Sequence, residues 1–136
     1  MKIYPSDKIR NVAVVAHQGA GKTSLVEAMV YATGATSRLG KVDDGNTVSD
    51  YFPEEIKRKL TVNTSLVSCE WKDHKINLLD TPGFTDFFGE VEGSLRVADS
   101  LLMVLDLSLI HIFWSAFLCP LITLVVCPAP FRLAGI

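Results

Sequence analysis

Residues 16–23, AHQGAGKT, combine glycines, a lysine and a threonine in an order that suits phosphate binding. They stand between an apolar run, NVAVV, and a run of helical character, SLVEAMVYA. In a tight loop between strand and helix, backbone N–H groups and the helix start attract phosphate oxygens. Gly19 and Gly21 would let the backbone approach closely, Lys22 would reach the outer phosphates, and Thr23 would ligate Mg²⁺. The alternative is a chance GKT at an ordinary helix start.

A second group of candidate residues lies in LLDTPGFTDF, residues 78–87. Asp80 at the carboxyl end of a predicted strand would hold a magnesium-bound water, and the N–H of Gly83 would meet a γ-phosphate. Both positions fall where open α/β sheets bind ligands. The alternative is an ordinary Asp-Thr-Pro-Gly turn. The presence of the phosphate loop in the same chain favours a nucleotide site over that alternative.

The predicted nucleotide-binding residues therefore come from a loop and a turn. The loop supplies Ala16, His17, Gln18, Gly19, Ala20, Gly21, Lys22, Thr23 and Ser24. The turn supplies Asp80, Thr81, Pro82, Gly83 and Phe84.

Alternating strand and helix patterns supply the elements that must position these residues. Strands are predicted at residues 11–16, 61–71, 75–79 and 100–105, and helices at residues 22–33 and 87–98. A tight turn at residues 72–74 joins the second and third strands into a hairpin. Residues 35–60 are polar and show no sustained period, which is typical of a functional or mobile segment. The order predicts an α/β, three-layer domain whose mostly parallel sheet has one antiparallel hairpin strand.

Composition limits the possible functions. The chain has 136 residues, enough for one domain, and a formal net charge of -2. This balance predicts no direct nucleic-acid site. The three cysteines show no C-x-x-C pairing, so a disulfide framework or zinc site is not expected, and a reducing cytoplasm fits best. The polar N-terminus has no apolar signal core.

Three stretches together resemble a known family, namely AHQGAGKTSL, GKVDDGNTVSDYFPEEIKRKLTV and LLDTPGFTDFFGEVEGSLRVADSLLMVLD. They are similar to the start of the GTPase domain of elongation factor G, continuously over residues 9–106. The resemblance implies a P-loop NTPase fold that binds GTP or GDP with Mg²⁺. It also implies a ribosome partner and a GTPase that drives translocation or a related ribosome-linked step. Family members begin the phosphate loop with alanine, which accounts for Ala16.

The middle stretch resembles the first switch of that family. The matching residues are Gly40, Val42, Asp44, Gly45 and Asp50. Thr61 matches the switch threonine that is expected to close over Mg²⁺ in the triphosphate state. The resemblance therefore implies a metal site formed by Thr23, Thr61 and, through a water, Asp80.

The chain departs from the family at two positions. Elongation factor G places histidine directly after DTPG, where it is thought to position the attacking water, and this chain has Phe84. Gly83 and Phe84 thus occupy the positions that the resemblance makes catalytic. The glycine that normally follows Arg58 is Lys59. These departures suggest a divergent paralogue and keep open a non-hydrolysing, GTP-dependent regulatory binding module.

The resemblance ends at Leu107. No N-K-x-D, the motif that reads guanine in the family, occurs in the chain, so guanine preference rests on resemblance alone. The tail LSLIHIFWSAFLCPLITLVVCPAPFRLAGI is uncharged from residue 107 to 131. That length would suit a membrane span, and a membrane-anchored P-loop protein that uses ATP is one alternative. A buried continuation of the domain is another.

Foreign sequence is the favoured interpretation of the tail. LSLIHI is the translation of CTGTCTCTTATACACATC, a transposon end used in preparing sequencing libraries. Residues 1–106 are therefore predicted to be part of a GTP-binding domain, truncated at a junction with a non-family, artefactual apolar tail at residues 107–136. A membrane partner is then not favoured. The strand at residues 100–105 would be an exposed apolar edge, and the tail would be poorly placed or an isolated helix.

Overall fold

The computed structural model describes residues 3–58, 60–106 and 122–128. The strands are β1 Ile9–Val15, β2 Ser65–Trp71, β3 His74–Asp80, β4 Ser100–Asp106 and β5 Ile122–Pro128. The helices are α1 Lys22–Ala32, α2 Pro53–Arg58 and α3 Phe88–Val97. Short 3-10 turns occupy Ser6–Lys8, Val42–Asp44 and Thr85–Phe87.

The five strands form one sheet in the order β2-β3-β1-β4-β5. β1 lies at the centre and pairs in parallel with β3 and with β4. β2 pairs antiparallel with β3, as the predicted hairpin requires. The predicted α/β class is confirmed. Because β1 and β3 are adjacent and parallel, their carboxyl ends lie side by side.

Helices cover the central strand on both sides. Ala13 and Val14 are adjacent in β1 and both are 0% exposed. Because successive strand residues point to opposite faces, both faces of β1 are buried. On one face Val14 packs with Val26 and Val30 of α1, and α3 also contacts β1. The arrangement places α1, with the phosphate loop before it, directly against the sheet.

The hairpin begins later than the sequence indicates. Its two turn residues, Lys72 and Asp73, have φ values of 46° and 63°, the left-handed conformation that two-residue hairpin turns use. The prediction of a strand from residue 61 is wrong, because β2 starts at Ser65. Residues 61–64 are instead held by side chains, and the N–H of Thr64, for example, donates to Glu90 Oε2 at 3.2 Å.

The outer edge of β4 is covered. β5 pairs antiparallel with β4 over its full length, from Ser100 opposite Pro128 to Asp106 opposite Ile122. The expectation of an exposed edge at β4 is therefore wrong, as is that of an isolated helix over residues 122–128. The rest of the tail, residues 107–121 and 129–136, lies outside the described residues. Its foreign origin stays a prediction. Of the helices in the described ranges, none has the length and apolar character to cross a membrane.

Candidate nucleotide and metal site

The phosphate loop joins β1 to α1. Gly19 and Gly21 have φ values of 78° and 88°, in the left-handed region that favours glycine. A Cβ atom added at either position would meet no other atom within 4 Å. The two glycines are therefore needed for their left-handed backbone conformation, and not because a side chain would lack space. The loop closes with a hydrogen bond of 3.3 Å from the N–H of Ala20 to the carbonyl of His17.

Lys22 turns its ammonium group back over this loop. Its Nζ donates to the carbonyls of Ala16 and His17, both at 3.2 Å. Burial lowers the pKa of Lys22, while the negative charges of Asp80 and Asp50 act in the opposite direction. The result is a buried cation that lines the site cavity, between the carbonyls of the phosphate loop and two acidic side chains, where a phosphate group could approach it.

Two threonines and two carboxylates lie together beside Lys22, and each threonine donates a hydrogen bond to one of the carboxylates. Thr23 Oγ1 donates to Asp80 Oδ2 at 2.9 Å and lies 3.3 Å from Thr61 Oγ1. Thr61 Oγ1 in turn donates to Asp50 Oδ1 at 2.9 Å. All four residues are buried. α1, the end of β3 and the segments before and after α2 thus each contribute a side-chain oxygen to one cluster.

Burial sets the protonation of this cluster. It raises the pKa of Asp80 to about 6, with the hydrogen bond from Thr23 opposing that rise and the charge of Asp50 adding to it. Burial also raises the pKa of Asp50, the hydrogen bond from Thr61 lowers it, and the charges of Glu55 and Glu27 raise it further. Two neighbouring carboxylates in a dry environment favour a bound cation.

The residues present fit Mg²⁺. Asp80 Oδ1 is buried and has no hydrogen-bond partner among the described residues. The groups around it are oxygens, which a hard cation such as Mg²⁺ prefers, and magnesium sites typically use one or two carboxylates plus phosphate oxygens. Within residues 3–58, 60–106 and 122–128, no group of three or more His, Cys, Asp or Glu side chains could hold a metal. A metal here would therefore depend on the threonine hydroxyls and on phosphate.

The turn after β3 packs tightly against the phosphate loop. A Cβ atom on Gly83 would lie 2.5 Å from Lys22 Nζ and 2.7 Å from the backbone nitrogen of Gln18. The N–H of Gln18 donates to the carbonyl of Gly83 at 3.2 Å. Thr81 anchors the turn, because its Oγ1 donates to the carbonyl of Val14 at 2.8 Å. Gly83 therefore sits beside the lysine with no room for a side chain.

These elements enclose a cavity of about 210 Å³. This volume is below the roughly 300–1,000 Å³ of pockets that hold drug-sized ligands, so it suits the phosphate and metal part of a nucleotide. The cavity is lined by Gln18, Gly19, Gly21, Lys22, Thr23, Ser24, Val42, Asp50, Leu60, Thr61, Gly83 and Phe84.

The structure brings most of the predicted site residues to this cavity. Six predicted residues are not part of its lining, namely Ala16, His17, Ala20, Asp80, Thr81 and Pro82. Asp80 nevertheless reaches Thr23, and Thr81 and Pro82 are buried supports of the turn. The ligand roles of all these residues stay predictions.

Sequence reasoning gave no site role to three residues that line the cavity, Val42, Asp50 and Leu60. The resemblance puts Val42 and Asp50 in the first switch, but it gives neither of them a part in the nucleotide or metal site. Apart from that resemblance, the only sequence signal for Asp50 is its acidic character in a polar segment shortly before the short helix α2. Its contact with Thr61 depends on how the segment folds back, which no local pattern reports.

Comparison with known proteins identifies the domain. Residues 7–109 match the family described as the elongation factor Tu GTP binding domain. A bacterial selenocysteine-specific elongation factor of known structure, 22% identical with a TM-score of 0.59, shares the fold.

Curated relatives have greater identity. A mitochondrial ribosome-releasing factor 2 of Scheffersomyces stipitis is 48% identical over 102 residues, which are 75% of this chain and 12% of that protein. An elongation factor G of Granulibacter bethesdensis is 47% identical over 100 residues, 74% of this chain and 14% of that protein. A solved protein of Thermus thermophilus is 46% identical with a TM-score of 0.68, over 71% of this chain and 14% of that one. The chain thus spans only a small part of the length of these relatives.

Proposed function

The chain belongs to the family of the elongation factor Tu GTP binding domain, and on this premise we propose that it binds GTP with Mg²⁺. We further propose that it forms the nucleotide-binding part of a ribosome-linked GTPase of the elongation factor G kind. The curated relatives that carry that name, and those named as ribosome-releasing factors, support the ribosome as partner. A cytoplasmic site of action is part of the same proposal.

The single observation that carries this proposal is the convergence of Thr23, Thr61 and Asp80. Thr61 lies 38 positions after Thr23 in the chain, and Asp80 lies 57 positions after it. Thr23 Oγ1 is nevertheless only 3.3 Å from Thr61 Oγ1 and 2.9 Å from Asp80 Oδ2. Hydroxyl and carboxylate oxygens gathered beside a buried lysine are the chemistry that a magnesium-bound phosphate needs.

Each residue then has a defined task. The left-handed loop around Gly19 and Gly21 turns backbone N–H groups toward phosphate oxygens, and Lys22 neutralises their charge. Thr23, Thr61 and the water-linked Asp80 would hold Mg²⁺, which supplies charge neutralisation and orientation of the phosphates. Gly83, pressed against Lys22, would present its N–H to the outermost phosphate.

Phe84 favours a second candidate function, a GTP-dependent binding module with little hydrolysis. Phe84 lines the cavity next to Gly83, and its ring has no group that can hydrogen-bond a water. Hydrolysis depends mainly on holding that water in line with the γ-phosphate. A chain that binds nucleotide and releases phosphate slowly would act through its bound state.

The test is nucleotide binding by the 136-residue chain with and without Mg²⁺. We expect weak, Mg²⁺-dependent binding of a fluorescent triphosphate with little preference for GTP over ATP, because the described cavity has room for the phosphates and a metal but not for the base. Lys22→Ala should abolish binding, since the cation beside the phosphates is lost. Lys72→Ala, an exposed lysine of the β2-β3 turn, is the matched control and should bind normally. Tight, GTP-selective binding would contradict the expected weakness, and binding that survives Lys22→Ala would refute the site.

A further inference from the structure

Glu27 links α1 to the segment that follows it. The residue lies one helical turn beyond Thr23, and its side chain is only 1% exposed. Its Oε2 accepts a hydrogen bond of 3.2 Å from the N–H of Gly40, and its Oε1 accepts one from the N–H of Val48. The carboxylate of Glu27, on α1, therefore accepts hydrogen bonds from two backbone N–H groups that are eight positions apart in the chain.

Gly40 shows how closely this segment is fitted to α1. A Cβ atom at this position would lie 2.5 Å from Glu27 Oε2 and 2.9 Å from the carbonyl oxygen of Asn46. Further along, a Cβ atom on Gly45 would lie 2.7 Å from Ile56 Cγ2 of α2. The chain after α1 thus packs against α1 at Gly40 and against α2 at Gly45.

Glu55 holds the other end of the same segment. Its side chain is also 1% exposed, and its Oε1 accepts hydrogen bonds from the N–H groups of Val62 and Asn63, at 3.0 and 3.1 Å. Its Oε2 accepts a longer bond of 3.4 Å from the N–H of Phe52, just before α2. Glu55 therefore caps the start of its own helix and fixes the two residues that follow Thr61.

Both carboxylates are satisfied by hydrogen bonds in a place where an unsatisfied one would be costly. A buried carboxylate is stable only when hydrogen bonds or charges compensate for lost water, and each of these accepts two or more backbone N–H groups.

We propose that Glu27 and Glu55 are positioning residues that hold residues 40–63, here called the switch segment, so that Thr61 lies against Thr23. Neither glutamate lines the cavity, so each acts through the backbone that it binds. Glu27 fixes the first part of the switch segment to α1, and Glu55 fixes the part that carries Thr61. This inference rests on the proposed function, because it assigns the two glutamates to the same nucleotide and metal site.

The decisive variant is Glu55→Ala, with Glu54→Ala as the matched control on the exposed side of the same short helix. Hydrogen exchange of the nucleotide-free chain reads the contact directly. Without Glu55, the Val62 and Asn63 amides should exchange on the order of 10-fold faster, because their acceptor is gone. Glu54→Ala should leave them unchanged, and Glu55→Gln, which keeps one acceptor oxygen, should give an intermediate rate. Unchanged protection of both amides in Glu55→Ala would overturn the proposal.

A second measurement separates positioning from general stability. The affinity for a fluorescent triphosphate is measured in Mg²⁺ and in EDTA. If Glu55 positions Thr61 for the metal, Glu55→Ala should reduce the gain in affinity from Mg²⁺ by about 10-fold and leave the affinity in EDTA unchanged. An equal loss in both conditions would show a merely structural role and overturn the proposal.

The same design applies to Glu27. Glu27→Ala should accelerate exchange at the Gly40 and Val48 amides and reduce the Mg²⁺-dependent gain, and unchanged exchange at both amides would remove Glu27 from the proposal. If the unaltered chain binds no nucleotide, the proposed function fails, while the exchange measurements still decide whether the two glutamates hold the switch segment.

Discussion

The hydroxyl groups of Thr23 and Thr61 lie 3.3 Å apart, although 38 positions separate the two residues in the chain. Each hydroxyl also donates to a different buried carboxylate, Thr23 to Asp80 and Thr61 to Asp50. Through these contacts the switch segment, which carries Asp50 and Thr61, shares one buried cluster of two acidic groups with Asp80. The protonation of that cluster therefore has consequences for stability.

Asp80→Asn should change how stability depends on pH. Burial raises the pKa of Asp80 from 3.8 to about 6, so the folded chain binds this proton more tightly than the unfolded chain. The resulting stabilisation is fully present below pH 3.8 and is lost as the pH rises through about 6, a difference of about 3 kcal/mol. In EDTA, the asparagine variant should therefore be more stable than the unaltered chain at about pH 7.5 and similar to it at about pH 4.

Urea unfolding at several pH values checks this prediction. The quantity to compare is the difference in free energy of unfolding between the variant and the unaltered chain, because groups that do not interact with Asp80 titrate equally in both and cancel. A difference that stays constant from about pH 4 to about pH 7.5 would show that Asp80 keeps an ordinary pKa.

Gly83→Ala should weaken nucleotide binding. The new methyl group would lie 2.5 Å from Lys22 Nζ and 2.7 Å from the Gln18 nitrogen, so the lysine or the phosphate loop must move. Displacement of the lysine should reduce triphosphate affinity by about 10-fold or more, since a hydrogen bond to a charged group contributes about 1.5–3 kcal/mol. Isothermal titration with a triphosphate and Mg²⁺ measures the effect.

Gly93→Ala is the control for that substitution. Gly93 lies inside α3, and an added Cβ atom would meet nothing within 4 Å. Alanine should leave nucleotide affinity unchanged and stabilise the helix by about 0.5–1 kcal/mol. Equal affinities for the two alanine variants would mean that the turn adapts to a side chain at Gly83.

The sequence predicts the elements around this site well because strong local patterns define them. β1, α1, α3 and β4 each lie within two residues of their predicted bounds, since apolar periodicity marks both their existence and their extent. The phosphate loop and the DTPG turn follow these elements, and their proximity follows from the parallel pairing of β1 with β3.

Contacts made by the switch segment could not be predicted in the same way. Glu27 and Glu55 bind backbone N–H groups, which every residue type except proline offers, so no sequence pattern marks their partners. β2 begins at Ser65 instead of residue 61 for the same reason, because those N–H groups are satisfied by side chains. The pairing of β5 with β4 was missed because residues 107–131 have no period from which strand and helix can be distinguished.

The origin of the tail can be tested at the genomic locus. We predict that residues 107–136 are foreign, because LSLIHI, at residues 107–112, spans the point at which the family match ends, residue 109. Long-read sequencing of the chromosome should show the frame continuing past Asp106 into domain sequence that carries N-K-x-D. Recovery of codons for LSLIHIFWSAF at that place would reject the prediction and make β5 a native element of the domain.

Phe84→His should accelerate GTP hydrolysis in a full-length version of the protein. Phe84 lines the cavity beside Gly83, and its ring cannot hydrogen-bond a water. Histidine there could orient the attacking water, and a positioned polar group typically contributes on the order of 10²- to 10⁴-fold in rate. GTP affinity should change little, because the phosphate contacts come from the loop and from Lys22. Ribosome-stimulated single-turnover hydrolysis measures the rate.

Phe88→His is the matched control, because Phe88 is 63% exposed and begins α3 instead of lining the cavity. It should leave the rate unchanged. An equal or lower rate in Phe84→His would show that another group positions the water. Gln18 is then the first candidate, because it lines the same cavity, whereas His17 bonds the carbonyl of Gln18 and does not line it. In that case hydrolysis would proceed without the missing histidine, and the binding-module alternative would lose its main support.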